Sequence, residues 1–309
     1  MKRQGLVIMS LMLLLACGGS KRPGHYDYGI QYFDAGDYTD AARHFSLAWE
    51  EKKQVHALFN LGLTQLKLGD FEAAVRTYRQ YLTQNSDDWQ AQVNLGHALA
   101  GAGDNAAASD AFAAGIAQNA TWPEPYCAFA QHLLAQNTET ATRKALGLME
   151  KATALGSENS TAWFLHGQAA QRLGDTTTAK ADMEQAVSRD ANNRPARMLL
   201  ADLLMAQQDW SGARRHYISA AALRIDHASL LGAGICHREL GELVMAQDAL
   251  NHARRLAPND AATLNELLKV NLAAAKANLI GLTANGNLTP EAKAQLQATI
   301  EALQKALGQ

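Results

Sequence analysis

One short phrase recurs through most of the chain at a nearly constant spacing. It reads Gly-Asp-Tyr or Gly-Asp-Phe with an Ala three residues after the aromatic residue, and it occurs in full at Gly36 and Gly69. Weakened copies begin at Gly103, Gly174, Gln208 and Gly241. The steps between these positions are 33, 34, 71, 34 and 33 residues, so the longest step holds two copies. A period of this length predicts one supersecondary unit per repeat, stacked on its neighbours.

The residues within each period predict a helical hairpin. A small residue stands seven positions before each turn, where it lets two helices approach closely. These residues are Gly29, Gly62, Gly96, Gly167, Ala201 and Gly234. The turn glycine supplies a backbone with positive φ, and the acidic residue after it is suited to cap the second helix. Leu58 and Leu61 have the apolar spacing of a packed helix face.

The order and period of these markers resemble the tetratricopeptide repeat. The resemblance implies an all-α solenoid, a right-handed superhelix of helical hairpins, over residues 24–260. We place about seven repeats, at residues 22–55, 55–88, 89–122, 123–159, 160–193, 194–226 and 227–260. In the fourth repeat Pro123 marks a helix start, and Asn137 to Thr142 replaces the Gly-Asp turn.

Beyond Pro258 the repeat markers stop, yet the sequence still predicts helices. Residues 261–282 form a long helical segment, and Thr289-Pro290 has the N-cap and first-turn proline of another helix that ends near Leu307. A stack of repeats needs a terminal element that shields its open end. We therefore expect residues 261–309 to form a helical cap. A second partner-binding element is the alternative.

The first residues predict export and lipidation. Two basic residues precede an apolar stretch, Leu6 to Leu15, that is too short to span a bilayer. It ends in Leu14-Leu15-Ala16-Cys17, which resembles the lipobox of bacterial lipoproteins. The resemblance implies a signal peptide at residues 1–16, an acylated Cys17 and a short tether at residues 17–23. The residue after Cys17 is not Asp, which resembles the pattern directed to the outer membrane. An ordinary signal peptide with an incidental cysteine is the alternative.

No motif in the sequence predicts catalysis or cofactor binding. The chain has no phosphate loop, dinucleotide turn, nucleophile elbow or paired-histidine metalloprotease motif, and no two of its ten histidines stand three or four residues apart. The 28 Lys and Arg against 30 Asp and Glu give a net charge of −2, which does not predict a nucleic-acid partner. We therefore predict no enzymatic activity, no cofactor and no metal site.

Two cysteines, Cys127 and Cys236, fall inside the repeats. The register places them three repeats apart, farther than a disulfide reaches, so we predict two free and mostly buried thiols. Cys236 stands beside His237, but adjacent helix residues point about 100° apart. The pair is therefore interpreted as packing and not as a nucleophile with its base.

The repeat resemblance also predicts where a partner binds. In this family the first helix of each repeat lines a concave groove, at positions 2, 5, 9 and 12 of the repeat. Here the row at position 5 is largely apolar and lacks the Lys and Arg that clamp a terminal carboxylate in chaperone-tail-binding relatives. The predicted groove residues are Phe59, Asn60, Leu63, Val93, Asn94, His97, Gln131, Phe164, Gln168, Met198, Asp202 and Leu231. An apolar or amphipathic segment suits this groove. The alternative is that position-5 residues pack between neighbouring first helices.

An export signal, a lipid anchor and a repeat array together predict an adaptor or assembly factor of the bacterial envelope. Over residues 1–260 this architecture resembles the type IV pilus biogenesis and stability lipoproteins of the PilF/PilW type and the tight-adherence pilus lipoproteins. The resemblance implies a secretin or pilus component as partner, and an outer-membrane location facing the periplasm. An adaptor for peptidoglycan-modifying enzymes shares the architecture and is the alternative.

Overall fold

The computed structural model describes residues 23–156, 158–285 and 289–308, and within these ranges it contains sixteen α-helices and no strand. The predicted all-α repeat fold is confirmed. The signal peptide and Cys17 lie outside the described residues. The helices are α1 His25–Asp34, α2 Tyr38–Lys52, α3 Val55–Leu68, α4 Phe71–Leu82, α5 Trp89–Gly101, α6 Asn105–Gln118, α7 Pro123–Ala135, α8 Glu139–Leu155, α9 Ser160–Arg172, α10 Thr176–Arg189, α11 Arg194–Ala206, α12 Trp210–Leu223, α13 His227–Glu239, α14 Leu243–Leu256, α15 Ala261–Ala284 and α16 Pro290–Ala306.

The chain divides into two compact units between Thr121 and Trp122. Unit 1 contains the hairpins α1–α2, α3–α4 and α5–α6, each packed on the next. Unit 2 contains the hairpins α7–α8, α9–α10, α11–α12 and α13–α14, followed by α15 and α16. None of the helices described in the two units combines the length and apolar character that a bilayer crossing requires.

The hairpin turns follow the predicted chemistry. Five turn glycines have φ between 75° and 86°, a left-handed backbone that favours glycine. They are Gly36, Gly69, Gly103, Gly174 and Gly241. The aspartate that follows a turn accepts a hydrogen bond from the backbone N–H three residues further on, and so starts the second helix. This cap is made by Asp37, Asp70, Asp104, Asp175 and Asp209.

Two turns reach the same geometry without glycine. Asn137 in the fourth repeat has φ 51°, and Gln208 in the sixth has φ 61°. The residue after Asn137 is Thr138, whose side chain caps α8 by accepting from the N–H of Ala141. Asparagine tolerates a left-handed backbone better than most residues, because its short polar side chain bonds locally. Asn137-Thr138 therefore does in the fourth repeat what Gly-Asp does elsewhere.

The small residues in the first helices mark close helix contacts. A Cβ atom added at Gly29 would lie 2.6 Å from the ring of Phe45. The same atom at Gly234 would lie 2.6 Å from Cγ of Leu250. Phe45 and Leu250 are both fully buried. In five of the hairpins a large side chain of the second helix thus lies on a glycine of the first helix, at Gly29, Gly62, Gly96, Gly167 and Gly234.

Successive repeats of unit 2 are joined at one edge by polar contacts that we call clasps. Each clasp joins the start of a first helix to the residue that caps the next first helix. The clasps are Glu124 with Asn159 (3.3 Å), Ser160 with Asn193 (2.8 Å), Arg194 with Asp226, and His227 with Asp260 (3.3 Å). Because the clasps recur at every step, α15 continues the stack in the place of an eighth first helix.

Helix α15 differs from the other first helices in length and in packing. It has 24 residues, and its first half buries Leu267 and Val270 against unit 2. Its second half is open, with Ile280 70% exposed. Helix α16 packs on α15 and has no buried residue among those described. The hairpin occupies the place of the predicted cap, and its capping role stays a prediction.

Candidate partner-binding surface

The predicted groove residues of unit 1 lie on two first helices and divide by burial. On α3, Phe59 is half-buried, and its ring lies edge-on to two tyrosine rings. The ring centroids are 5.9 Å apart for Tyr78 and 5.5 Å apart for Tyr81. On α5, Val93 is buried. One helical turn further along α5, His97 is exposed. The apolar residues therefore pack within the hairpins, and His97 is exposed although its ring lies edge-on to Phe112, with 5.1 Å between the ring centroids.

The other three predicted residues of unit 1 are half-buried. Asn60 donates a hydrogen bond from Nδ2 to the hydroxyl of Tyr26 at 3.0 Å, across 34 residues. It therefore ties the second repeat to the first as well as lying on the predicted face. Leu63 on α3 corresponds in the repeat to His97 on α5, and Asn94 on α5 corresponds to Asn60 on α3.

Unit 2 shows the same division. Phe164 on α9 and Met198 on α11 are half-buried and pack against the apolar cluster that includes Met183 and Tyr217, and Leu231 on α13 packs against the cluster that includes Leu250. In contrast, Gln131 on α7 and Asp202 on α11 are exposed, and Gln168 on α9 is half-buried.

Burial thus favours the packing alternative for the apolar row. Position-5 residues support the contacts between helices, whereas exposed side chains that can reach a partner stand four residues later, at His97, Gln131 and Asp202. Each of these lies one helical turn from an apolar neighbour on the same face. The binding face remains a prediction. These three polar residues are exposed and can contact a partner, whereas its apolar residues are largely covered by neighbouring helices.

Sequence reasoning missed a contact that fixes one of these polar side chains. The hydroxyl of Tyr217 donates to Oδ1 of Asp202 at 2.5 Å, although Tyr217 itself is buried on α12. Desolvation raises the pKa of the Asp202 carboxyl, and the hydrogen bond from Tyr217 opposes that rise. The Asp202 side chain is nevertheless exposed.

Two ionic networks join the last repeats of unit 2. Glu242 follows the turn of the seventh repeat, where the pattern predicts a cap, yet its side chain makes no capping bond. It accepts from Arg214 of the preceding repeat and from His237 at 2.5 Å, and these bonds lower its pKa. A glutamate has one more methylene than the aspartate found at the other turns, which lets it reach across to α12.

The second network is centred on Glu266 at the start of α15. Its side chain is 10% exposed and accepts from Arg238 at 2.8 Å and from Lys269 at 2.7 Å. Arg238 also pairs with Glu239 at 2.8 Å. The network holds α15 on α13, so it positions the C-terminal hairpin.

The repeat pattern is also recognised by comparison with known sequences. The profile of the tetratricopeptide repeat matches residues 26–74, 59–121 and 198–261, and a second profile of the same description matches residues 170–224. Together they cover more than half of the chain.

The chain belongs to the tetratricopeptide repeat family. Proteins of this family are generally interaction scaffolds without catalytic activity, and this chain is accordingly a scaffold for binding other proteins. No curated protein sequence matches it.

Solved tetratricopeptide repeat structures share the fold at low sequence identity. PilF of Pseudomonas aeruginosa has a TM-score of 0.60 at 19% identity, over 68% of this chain and 95% of its own. The C-terminal part of a repeat protein from Cytophaga hutchinsonii has a TM-score of 0.58 at 15% identity, over 78% and 99%. PilW, a type IV pilus biogenesis factor, has a TM-score of 0.56 at 15% identity, over 70% and 97%.

Titratable groups inside the tetratricopeptide repeats are arranged as structural pairs. His166 Nδ1 lies 2.6 Å from Oδ2 of Asp182, and both side chains are largely buried between α9 and α10. His237 is bonded to Glu242, and the neighbouring Cys236 is fully buried. Among the described residues, no three His, Cys, Asp or Glu side chains come together in a way that would hold a metal ion.

The two repeat cysteines are free and buried, as predicted. Burial raises the pKa of Cys127 to about 12 and that of Cys236 to about 11. Because the thiolate is the reactive form, we expect iodoacetamide at pH 8 to alkylate both at least about a hundredfold more slowly in the folded protein than in urea. Mass spectrometry of timed samples measures this. Rapid alkylation of Cys236 in the folded protein would contradict its assignment as a packing residue.

Proposed function

We propose that this protein is a lipid-anchored adaptor of the bacterial envelope that binds a segment of another envelope protein along its first helices. The single observation that carries the proposal is the lipobox-like Leu14-Leu15-Ala16-Cys17 directly before the repeats. About six residues separate Cys17 from the first helix, a reach of roughly 20 Å when extended. A lipid on Cys17 would hold the binding face close to the membrane.

The fold similarity to PilF and to PilW, a type IV pilus biogenesis factor, supports a role in assembling a pilus or its secretin. The proposed location is the outer membrane, on the periplasmic side. In unit 2 the proposed binding face contains the exposed first-helix residues Gln131 and Asp202, which hairpin packing leaves open to solvent. In unit 1 the corresponding exposed first-helix residue is His97.

Changing Cys17 to Ser should abolish lipid attachment. Two or three acyl chains anchor a protein durably, because each buried methylene contributes about 0.8 kcal/mol. We therefore expect the wild-type chain to incorporate an alkyne fatty acid and to sediment with outer membranes. The Cys17→Ser chain should incorporate none and leave the membrane fraction. Equal labelling of a Cys127→Ser control and the wild type would show that the lipid is on Cys17. Labelling that persists in Cys17→Ser would reject the anchor.

The partner is tested by photo-crosslinking in living cells. We expect a photoreactive residue at position 131 or 202 of unit 2 to capture one envelope protein, and the same residue at position 97 tests unit 1 separately. The same residue at the exposed second-helix positions Gln185 or Asp248 should not capture it. Mass spectrometry of the adduct separates a secretin or pilus component from a peptidoglycan-modifying enzyme. Equal capture from both faces would reject the first-helix surface.

A further inference from the structure

Asp202 is held in place by a tyrosine that comes from the other helix of its hairpin. The Tyr217 side chain is 2% exposed, and its hydroxyl meets Oδ1 of Asp202 at 2.5 Å. A hydrogen bond to a charged group is shorter and stronger than a neutral one. The carboxylate is therefore fixed in one orientation, although the aspartate side chain is exposed.

The ring of Tyr217 reaches this position because the next first helix carries a glycine. A Cβ atom at Gly232 on α13 would lie 2.5 Å from Cζ of Tyr217. Any other residue at this position would have to displace the ring. The arrangement thus involves α11, α12 and α13, and Tyr217 bonds Oδ1, one of the two carboxylate oxygens of Asp202.

Asp202 is exposed and lacks a cationic partner among the described residues, whereas the buried and half-buried acids of unit 2 have cationic or histidine partners. The pairs are Asp182 with His166, Asp226 with Arg194, Glu242 with Arg214, Asp260 with His227 and Glu266 with Arg238. Within the described part of the chain, no Lys, Arg or His nitrogen comes within 4.0 Å of the Asp202 carboxylate. Two arginines at the ends of first helices, Arg172 and Arg238, are engaged with Leu134 and with Glu266.

The surroundings of Asp202 are apolar and adaptable. Met198 and Met205 stand one turn before and one turn after it on α11, and both pack on the apolar cluster of unit 2. The sulfur of Met205 lies 3.8 Å from the Tyr217 hydroxyl. Methionine side chains adjust their shape to a ligand, and the alkyl stems of Lys and Arg pack well on apolar surfaces.

We propose that Asp202 binds the cationic side chain of a lysine or arginine that stands in an otherwise apolar segment of the partner protein. This inference rests on the proposed function, because it names the chemistry that the binding face recognises. A fixed carboxylate without an internal cation attracts a positive side chain and repels a negative one. Met198 and Met205 are half-buried, so the part of each that stays accessible gives the alkyl stem of that side chain an apolar surface beside the carboxylate.

The inference is tested with a fluorescein-labelled amphipathic peptide of Leu, Ala and Gln that carries one central variable residue. The central residue is Arg, Lys, citrulline or Glu, and citrulline serves as the uncharged counterpart of Arg. We expect the full-length chain in detergent to bind the Arg and Lys peptides at least about tenfold more tightly than the citrulline and Glu peptides. Fluorescence anisotropy measures the affinities.

Asp202→Asn removes the charge and keeps an acceptor for Tyr217, so we expect it to abolish the preference for Arg over citrulline. Asp248→Asn is the matched control, because it removes the same charge from the exposed face of α14 and should leave the preference intact. Tyr217→Phe keeps the charge but releases the carboxylate, and should reduce the preference. Circular dichroism confirms that each variant is folded.

Equal binding of all four peptides, stronger binding of the Glu peptide, or an unchanged preference in Asp202→Asn would overturn the inference. These outcomes leave the proposed function standing, since a segment would still bind. Failure of every peptide to bind also overturns the inference at Asp202. Whether a partner is captured in cells is decided separately by crosslinking from position 97 in unit 1.

Discussion

Replacing Leu250 with Ala should lower the free energy of unfolding by about 2 to 5 kcal/mol, because it opens a cavity where a fully buried side chain meets Gly234. Gly234→Ala should cost about 1 to 3 kcal/mol, because its new Cβ collides with the same leucine. The double variant should cost less than the sum of the two, since the added methyl group occupies part of the cavity. Urea unfolding followed by circular dichroism, with amide exchange in α13 and α14, measures all three.

Gly147→Ala is the control for the glycine substitution. Gly147 lies within α8, and a Cβ atom there would meet no atom within 4 Å. Alanine favours a helix interior by up to about 1 kcal/mol over glycine, so this variant should be more stable than the wild type. Additive costs of Leu250→Ala and Gly234→Ala would show that the two residues do not share one contact.

Glu266→Ala should destabilise the attachment of α15 by about 3 kcal/mol. The substitution leaves the largely buried guanidinium of Arg238 without its partner on α15. Hydrogen exchange should therefore accelerate across α15 and α16, while exchange in α9 and α10 stays at the wild-type rate. Lys269→Ala is the control, because Lys269 is 37% exposed and its removal should cost less than about 1 kcal/mol.

Equal acceleration in Glu266→Ala and Lys269→Ala would show that the charge network does not hold the C-terminal hairpin. Acceleration spread evenly over unit 2 would show instead that the hairpin is not a separate cooperative element.

Local chemistry made the hairpins predictable. A positive φ at Gly69, a cap at Asp70 and a close contact at Gly62 each depend on one residue and its immediate neighbours, so a repeated phrase was enough to place them. The sequence also placed the turn of the fourth repeat at Asn137 to Thr142. Because the Gly-Asp phrase is absent there, the pattern did not show that Asn137 takes the positive φ and Thr138 makes the cap.

Contacts between residues far apart in the sequence were harder to predict. The family register assigned Phe164 and Met198 to a groove, yet their burial depends on how neighbouring helices approach, which the register does not contain. The sequence contains one weak indication of the contact between Asp202 and Tyr217. In the sixth repeat Ala201 replaces the usual glycine opposite the large residue, and a glycine stands at position 232 of the next helix, where the ring of Tyr217 lies.

The clasps of unit 2 have a consequence for how such a chain can change its length. The two partners of a clasp are the first and last residues of a segment one repeat long, as with Ser160 and Asn193 or with His227 and Asp260. A gene duplication or deletion that begins and ends at these junctions carries both partners along. After such an event every clasp residue would still have its polar partner. The gain or loss of a whole segment should therefore be tolerated by the structure, and it would change the length of the repeat array.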